Sequence, residues 1–445
     1  MNAERTLFVA AITAAGYQLW TVGGALRDEL LRLGGHDEDF ATDALPDVVE
    51  ELARSLGRHV VTVGKRFGTI GVRLDGLWSE VTTFRGDSYE AGTRWPDVRF
   101  GQTIEEDLAR RDFTINALAR NAATGEVLDL FGSAADLAAG LIRAVGEPAA
   151  RFREDPLRIL RGLRFASQLD FAIEDATLAG MKATAPLLAT LSQERVTAEL
   201  DKLLQGPAPA RGLDVLEATG ALAVVLPELA GMPGCAQNRF HQFDVWGHTL
   251  ATVAAIGPGG PQGRVRRWAA LLHDLGKPYV RHTKNNGEWG FYRHDTVGAD
   301  LAEGLLARLK VAKQDARTIT LLVRRHMDRP NLDDRRSLRR FIAKSEGHWA
   351  DLIALKRADN ASHTYDDTEY HDRLERLCLE VTEAEAAALR AESPLSGDDL
   401  VALFDKEPGP WIRPIKERLS ALVLDGDLRP GDREAAERIA RRMLR

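Results

Sequence analysis

The residues best suited to chemistry in this chain are acidic, and three of them fall in the first hundred positions. Asp37 and Asp39 are two apart in the segment His36–Asp43. On a strand such a pair points to one face, and two like charges that close call for a cation between them; hard oxygen donors favour Mg²⁺. In isolation the motif fits a solvated acidic loop equally well. Glu80 lies inside Trp78–Phe84 (WSEVTTF), which alternates with period two and is rich in β-branched residues, as a half-buried strand should be. It shares its face with Trp78 and Thr82, so a solvent-facing position is one reading. Together with Asp37 and Asp39 it completes a three-carboxylate, two-metal cluster, which stabilises the attacking and leaving oxygens of an in-line phosphoryl transfer. Upstream, Thr21–Asp28 reads TVGGALRD. Gly23 and Gly24 follow a strand-like Gln18–Val22 and open a helical run. Backbone N–H groups there can approach a phosphate closely, and Arg27, one turn on, can reach the same anion. A plain tight turn is the alternative.

Two further sets stand out. Asp155, Arg158, Arg161 and Arg164 follow one another at intervals of three, the spacing of neighbours on a helix. Leu157, Ile159, Leu160, Leu163 and Phe165 give that segment its apolar faces. Read without context, Asp155 and Arg158 make a surface ion pair worth at most about 1 kcal/mol. Downstream, His248 (DVWGHTL), His273 and Asp274 (WAALLHDLGKP), His294, His326 and Asp359 (IALKRADN) fall on helix-like segments and are candidate metal ligands.

The elements that must position these residues divide the chain. Over residues 1–140 helix and strand signals mix, with short strands expected at Val60–Val63, Thr69–Leu74, Trp78–Phe84 and Val127–Leu130. After Arg151 the strand signals nearly vanish, and Asp155–Leu169 and Glu194–Leu204 show apolar residues at helical spacing. Gly/Pro punctuation at Gly206–Pro209, Gly257–Gly263 and Pro408–Pro410 marks breaks rather than long linkers. The fold class expected is α+β, a mixed-sheet head followed by an all-helical body and tail.

Length and composition agree. The 445 residues imply several domains, and with 44% hydrophobic and 28% charged residues the chain is globular. No apolar run approaches the ~20 residues that span a bilayer, and the N-terminal stretch reads as an amphipathic helix rather than a signal peptide. Two cysteines, Cys235 and Cys378, cannot build a disulfide framework and suit a reducing cytoplasm. No membrane association and no obligate protein partner are expected.

The net charge of −7 counts against a nucleic-acid partner only as an average. Between Leu306 and Ser345 twelve lysines and arginines face four aspartates, a local excess of eight. Residues 411–445 hold nine basic and six acidic side chains. These stretches are candidate phosphate contacts, with a solvated helix face as the commoner alternative.

Taken in order, GGALRD, the Asp37/Asp39 pair followed by FATDALP, EVTTFR, EDLARRDFTINALA (106–119), RFREDPLRILRGLRF (151–165) and SQERVTAELDKLL (192–204) resemble the class II tRNA nucleotidyltransferase and poly(A) polymerase family of the polymerase-β-like superfamily. The resemblance covers about the first half of the chain. It implies that Gly24 and Arg27 hold the triphosphate. Asp37 and Asp39 would carry Mg²⁺, with Glu80 as third carboxylate. Arg111 would contact the nucleotide. Asp155 and Arg158 would select C or A by Watson–Crick-like hydrogen bonds, and Arg161 and Arg164 would help bind the nucleotide. The later series WGHTL, LLHDLGKP, RHD, RRHM and RAD resembles an HD-type phosphohydrolase domain. By that resemblance His248, His273, Asp274 and Asp359 bind one divalent ion, and His294 and His326 a second. Mixed imidazole and carboxylate ligation suits Mn²⁺, Ni²⁺, Fe or Zn²⁺ more than Mg²⁺ alone, and the chemistry would be hydrolysis of phosphomonoesters or cyclic phosphodiesters.

The organisation implied is a nucleotidyltransferase head over 1–140, a helical neck and body with nucleotide-selecting and RNA-binding helices over 141–240, an HD-type domain over 241–365 and a tRNA-binding helical tail over 366–445. The expected activity is template-independent addition of C and/or A to the tRNA 3′ end from CTP and ATP, with release of pyrophosphate. CC-only or A-only addition, a poly(A) polymerase on the same scaffold, and an HD phosphohydrolase whose head only binds RNA are the alternatives.

Overall fold

The computed structural model describes residues 3–34, 39–86, 99–100, 103–238, 242–390, 393–424, 427–429 and 431–444. Seven strands form the sheet of the head: β1 (Leu19–Val22), β2 (Asp39–Thr42), β3 (Val60–Val61), β4 (Thr69–Leu74), β5 (Leu77–Thr83), β6 (Leu118–Asn121) and β7 (Val127–Asp129), in the order β3-β4-β5-β2-β1-β6-β7. All pairs are antiparallel except β2 with β5, which run parallel. Of the four expected strands Thr69–Leu74 has the expected ends and the other three are present with shifted ends, and β6 is an additional one.

Side-chain alternation gives this sheet two different faces. One carries Leu19, Phe40, Ile70, Val72 and Val81, buried against Phe8, Val9 and Ile12 of α1 (Ala3–Ala14) and Val49 and Ala53 of α3 (Pro46–Ser55). The N-terminal amphipathic helix is thus part of the core. The other face carries Trp20, Val22 and Ala41, packed with Ile104 and Leu108 of α4 (Ile104–Ala109). Asp39 and Glu80 project from this second face. Between β1 and α4 runs α2 (Gly24–Leu30).

Beyond the head the chain is almost entirely helical. One hydrophobic core runs without a break from Phe113 and Ile115 to Leu374 and Cys378, so the head, neck and HD-type region share apolar packing. Helices α5 (Pro148–Glu154), α6 (Leu157–Leu169) and α7 (Gln193–Leu204) form the neck. Arg267, buried in α9 (Gly260–Leu272), locks this neck to the next bundle. Its guanidinium donates to the carbonyls of Leu204, Gly206 and Ile256, satisfying helix-end acceptors that burial would otherwise orphan. The bundle itself is built from α8 (Val245–Ala255), α9, α10 (His294–Arg308), α11 (Lys313–Arg325), α12 (Arg335–Lys344), α13 (Trp349–Asn360) and α14 (Thr368–Arg390). Three last helices, α15 (Gly397–Phe404), α16 (Ile412–Leu424) and α17 (Arg433–Met443), bury Leu400, Ile415, Leu419, Ala436 and Ala440 in a small core of their own. Among the described residues no helix is long and apolar enough to cross a membrane.

Candidate functional site: a nucleotide cleft and a histidine–aspartate centre

A cavity of about 810 Å³ opens between the second sheet face, α2 and the neck helices, and it gathers most of the head's candidates: Gly24, Arg27, Asp39, Glu80, Arg111, Asp155, Arg158, Arg161 and Arg164. Asp37 lies outside the described residues. Asp39 and Glu80 are register partners across the parallel β2–β5 pair. Like charges directly opposite on one sheet face repel, and an all-oxygen pair of this kind is what a hard divalent cation offsets. The donor set therefore fits Mg²⁺.

The glycine turn makes room for an arginine. Gly23 adopts φ +72°, a left-handed conformation that favours glycine, and a Cβ there would sit 3.0 Å from Arg111 Nη1. The turn thus lets the Arg111 guanidinium lie across the start of α2. Arg111 itself is held by Asp107, which accepts from Nη2 at 2.9 Å, and by the Asn116 carbonyl, which accepts from Nη1 at 3.1 Å. Asp107 is nearly fully buried. Burial opposes its ionisation, but Arg111 and Arg110 outweigh that and hold its carboxyl below the usual range.

A second network ties the arginines together. Arg27 donates to Asp28 at 2.7 Å and to Asn116 Oδ1 at 2.8 Å. Asn116 Nδ2 donates to Asp112 Oδ1 at 3.0 Å, and Arg161 Nε donates to Asp112 Oδ2 at 2.7 Å. Asp112 is buried, which opposes ionisation, yet Arg161 and Asn116 keep its carboxyl below the ordinary value. Arg164 pairs with Glu199 of α7 at 3.2 Å; burial lowers its pKa, and Glu199 works the other way. The Phe165 ring sits among three of these cations, 5.1 Å from Arg27, 5.5 Å from Arg161 and 4.3 Å from Arg164. Its negative π-face offsets part of their mutual repulsion.

Asp155 departs from the sequence expectation. It is not on the helix with Arg158 but stands before it in extended conformation, φ −144° and ψ 102°. Pro156 is the reason, because a residue preceding proline is pushed out of the helical region. Nor do Asp155 and Arg158 pair. Arg195 of α7 donates to Asp155 at 3.0 Å, while Arg158 donates to Glu154 at 2.8 Å and to the Arg110 carbonyl at 2.9 Å. Both side chains still line the cleft.

The second cluster assembles all six expected residues. His248 Nε2 lies 3.1 Å from His273 Nε2, 3.4 Å from Asp274 Oδ2 and 2.9 Å from Asp359 Oδ1. On the other side of Asp274, its Oδ1 is 3.5 Å from His294 Nε2 and 4.0 Å from His326 Nε2, and those two nitrogens are 3.2 Å apart. The two oxygens of Asp274 thus face two separate groups of imidazoles. Each ring is oriented from behind. Nδ1 of His273, His294 and His326 meets the carbonyl of Ala270, Phe291 and Val323 at 2.8, 2.8 and 2.7 Å, and Nδ1 of His248 is hydrogen-bonded to Ser362 Oγ. A carbonyl accepting from Nδ1 of His273, His294 and His326 turns Nε2 of each of these rings towards the other donors. Burial opposes protonation of His273, but Asp274 and Asp359 raise it to about 10; burial pushes His326 down to about 3. Gly276 permits the assembly, because a Cβ there would stand 2.2 Å from the His294 carbonyl. The donors open onto a cavity of about 900 Å³ that Lys277, Lys284, Phe291, Tyr292 and Tyr365 also line.

Sequence reading overlooked Asp107, Asp112, Asn116, Arg195 and His363. The first three sit in the EDLARRDFTINALA motif (106–119), where buried polar residues are the signal. His363 follows Asp359 by four, a spacing that puts both on one side of a helical turn.

The basic stripe is partly neutralised by the fold. Arg308 pairs with Glu228, Lys310 with Glu194, Arg317 with Glu346, Arg324 with Asp300, Arg325 with Asp328 and Arg329 with Asp367. Arg335, Arg336, Arg340 and Lys344 on α12 remain exposed.

Comparison with known proteins finds family matches over the regions that hold the two clusters. The profile of the Poly A polymerase head domain matches residues 19–143, that of the probable RNA and SrmB-binding site of polymerase A residues 170–232, and that of the HD domain residues 246–364. The CCA-adding enzyme of Streptococcus gordonii is 46% identical over 425 residues, covering 95% of this chain and 93% of the relative. That of Enterococcus faecalis is 31% identical over 429 residues, covering 96% and 92%. The crystal structure of the Bacillus stearothermophilus CCA-adding enzyme in complex with CTP superposes with a TM-score of 0.70 at 28% identity, over 100% of this chain and 98% of that one. With relatives this similar along nearly its whole length, the chain belongs to the CCA-adding enzyme family of tRNA nucleotidyltransferases.

Proposed function

We propose that this protein adds C and A to the 3′ end of tRNA from CTP and ATP in the cytoplasm, using the head cleft. The observation that carries the reading is one cavity holding the Asp39–Glu80 pair, the guanidiniums of Arg27 and Arg111, and the side chains of Asp155 and Arg158. Asp39 and Asp37, with Glu80 as third carboxylate, would hold Mg²⁺, which would supply charge neutralisation for in-line phosphoryl transfer. Arg27 and Arg111 bind the triphosphate and offset charge that develops on it as the 3′-hydroxyl attacks the α-phosphate. Asp155 and Arg158, positioned by Arg195 and Glu154, present an acceptor and donors to the base edge, so selection needs no template. The neck, α12 and the tail helices supply contacts to the tRNA backbone. Residues 1–140, 141–240, 241–365 and 366–445 are the functional divisions of this reading. Buried, unpaired Cys235 and Cys378 accord with a reducing compartment.

The test uses tRNA ending before CCA, after C and after CC, each with one NTP at a time. C on the first two and A on the third supports the proposal. Incorporation of C only or A only identifies a partial enzyme, and long A-tails on unrelated RNA identify a poly(A) polymerase.

The Nε2 convergence in the second cluster supports a further reading, a metal-dependent phosphohydrolase. His248, His273, Asp274 and Asp359 would hold one ion and His294 and His326, with Asp274, another, and the metal would supply an activated water for phosphoester hydrolysis. Lys277 and Lys284 on the cavity wall would receive the phosphate. Loss of phosphomonoester or cyclic phosphodiester hydrolysis in Asp274→Ala, with nucleotide addition intact, is the expected outcome; hydrolysis equal to the parent's excludes it.

A further inference from the structure

His363 is a seventh histidine–aspartate group at this centre, and the turn that carries it is unusual in what it delivers. Within five residues it supplies Asp359, the Ser362 hydroxyl that holds His248 Nδ1, and the His363 ring. His363 Nε2 lies 3.5 Å from Asp359 Oδ1. Ligand atoms of His248, Asp359 and His363 all fall within 4.8 Å of one another, as do those of the His248–His273–Asp274 and Asp274–His294–His326 groups. The ring is also fixed in orientation. It lies parallel to His248, with 5.4 Å between centroids and 3° between planes, and Tyr365 stacks against it at 5.1 Å.

We propose that His363 is a ligand of the ion held by His248 and Asp359. This rests on the metal-centre reading above and extends its ligand set. A histidine that merely contacted a substrate phosphate would have no reason to bring its nitrogen into the span of two metal donors. A histidine that merely packed would not need Nε2 towards the Asp359 carboxylate. The consequence is an asymmetric centre. His248 belongs to both groups on the first side, which therefore offers His273, Asp274, Asp359 and His363 around it. Among the described residues the second side offers His294, His326 and one oxygen of Asp274, and it faces the cavity. The donor set of imidazoles and carboxylates suits Mn²⁺ or Fe²⁺.

The experiment uses the full chain with Asp37→Ala and Asp39→Ala, so that the head contributes no strong site. Mn²⁺ is titrated and the free ion is counted by electron paramagnetic resonance. The expected result is two classes of bound Mn²⁺. His363→Ala should weaken one class by about tenfold or more and leave the other unchanged. His363→Asp should recover much of the loss, because a carboxylate oxygen is a Mn²⁺ donor, whereas a packing role gains nothing from aspartate. Parent affinity for both classes in His363→Ala overturns the assignment, as does equal weakening in the alanine and aspartate variants. Absence of bound Mn²⁺ in the parent overturns the metal-centre reading itself.

Discussion

Asp39 and Glu80 stand directly opposite each other on the parallel strands β2 and β5. The repulsion between them is a cost of the metal-free protein that a bound divalent cation removes. Glu80→Gln should therefore reduce addition of C and of A alike, by about 100-fold, the scale of losing one charged contact to a transferring phosphoryl group. The same variant should melt at an equal or higher temperature than the parent in EDTA and gain less from Mg²⁺. Single-turnover extension and calorimetry with and without the ion measure both. Undiminished extension removes Glu80 from the site.

How much of this was legible beforehand depended on whether a residue acts through its chain neighbours or through space. Asp39, Glu80, Arg27 and the HD-type residues sit in ordered motifs, and the fold gathers the first three in one cleft and the HD-type residues in another cluster. Asp112 was not legible, because its partners Arg161 and Asn116 matter only once α6 has folded over the cleft. Asp155 was misplaced onto the helix because helical spacing was followed past Pro156. Arg195 lies 40 residues from the Asp155 it holds. The charge excess over 306–345 overstated the free basic surface, since acids outside the stretch, such as Glu228 and Glu194, pair with five of its twelve basic side chains.

Asp112 links the Arg27 and Arg161 sides of the cleft, and its ionised form is the one the fold stabilises. Its carboxyl titrates below the ordinary value of 3.8 in the folded protein. The stability it contributes is complete above that value and is lost as pH falls through the lower, folded one. Asp112→Ala leaves Arg161 without its buried partner and should cost about 3 kcal/mol at neutral pH. The difference between parent and variant should shrink in acid. Chemical denaturation at neutral and strongly acidic pH gives the comparison, and a gap that widens in acid contradicts this account.

Phe165 is the shared neighbour of three guanidiniums, so its loss should act on nucleotide binding rather than on base choice. Each cation–π contact is worth about 0.5–1 kcal/mol. Phe165→Leu should raise KM for CTP and ATP together, by about tenfold given 1.4 kcal/mol per decade, while kcat for either changes little. Phe165→Tyr, which keeps the ring, should stay near the parent. A change confined to one nucleotide, or equal defects in the leucine and tyrosine variants, would show that the ring serves another purpose.

Helix α12 separates a free basic surface from a neutralised one. Arg336, Arg340 and Lys344 recur every fourth residue along a single exposed face, whereas Arg317 and Arg324 are engaged by Glu346 and Asp300. Each phosphate contact to structured nucleic acid contributes about 0.7–0.9 to the slope of log affinity against log salt. Replacing Arg336, Arg340 and Lys344 together with alanine should weaken tRNA binding and lower that slope by about two. Replacing Arg317 and Arg324 should change it far less, because their charge is already spent on acids of the same chain. Filter binding across a salt series reads both slopes. An unchanged slope in the triple variant places the tRNA backbone elsewhere, on the neck or the tail helices.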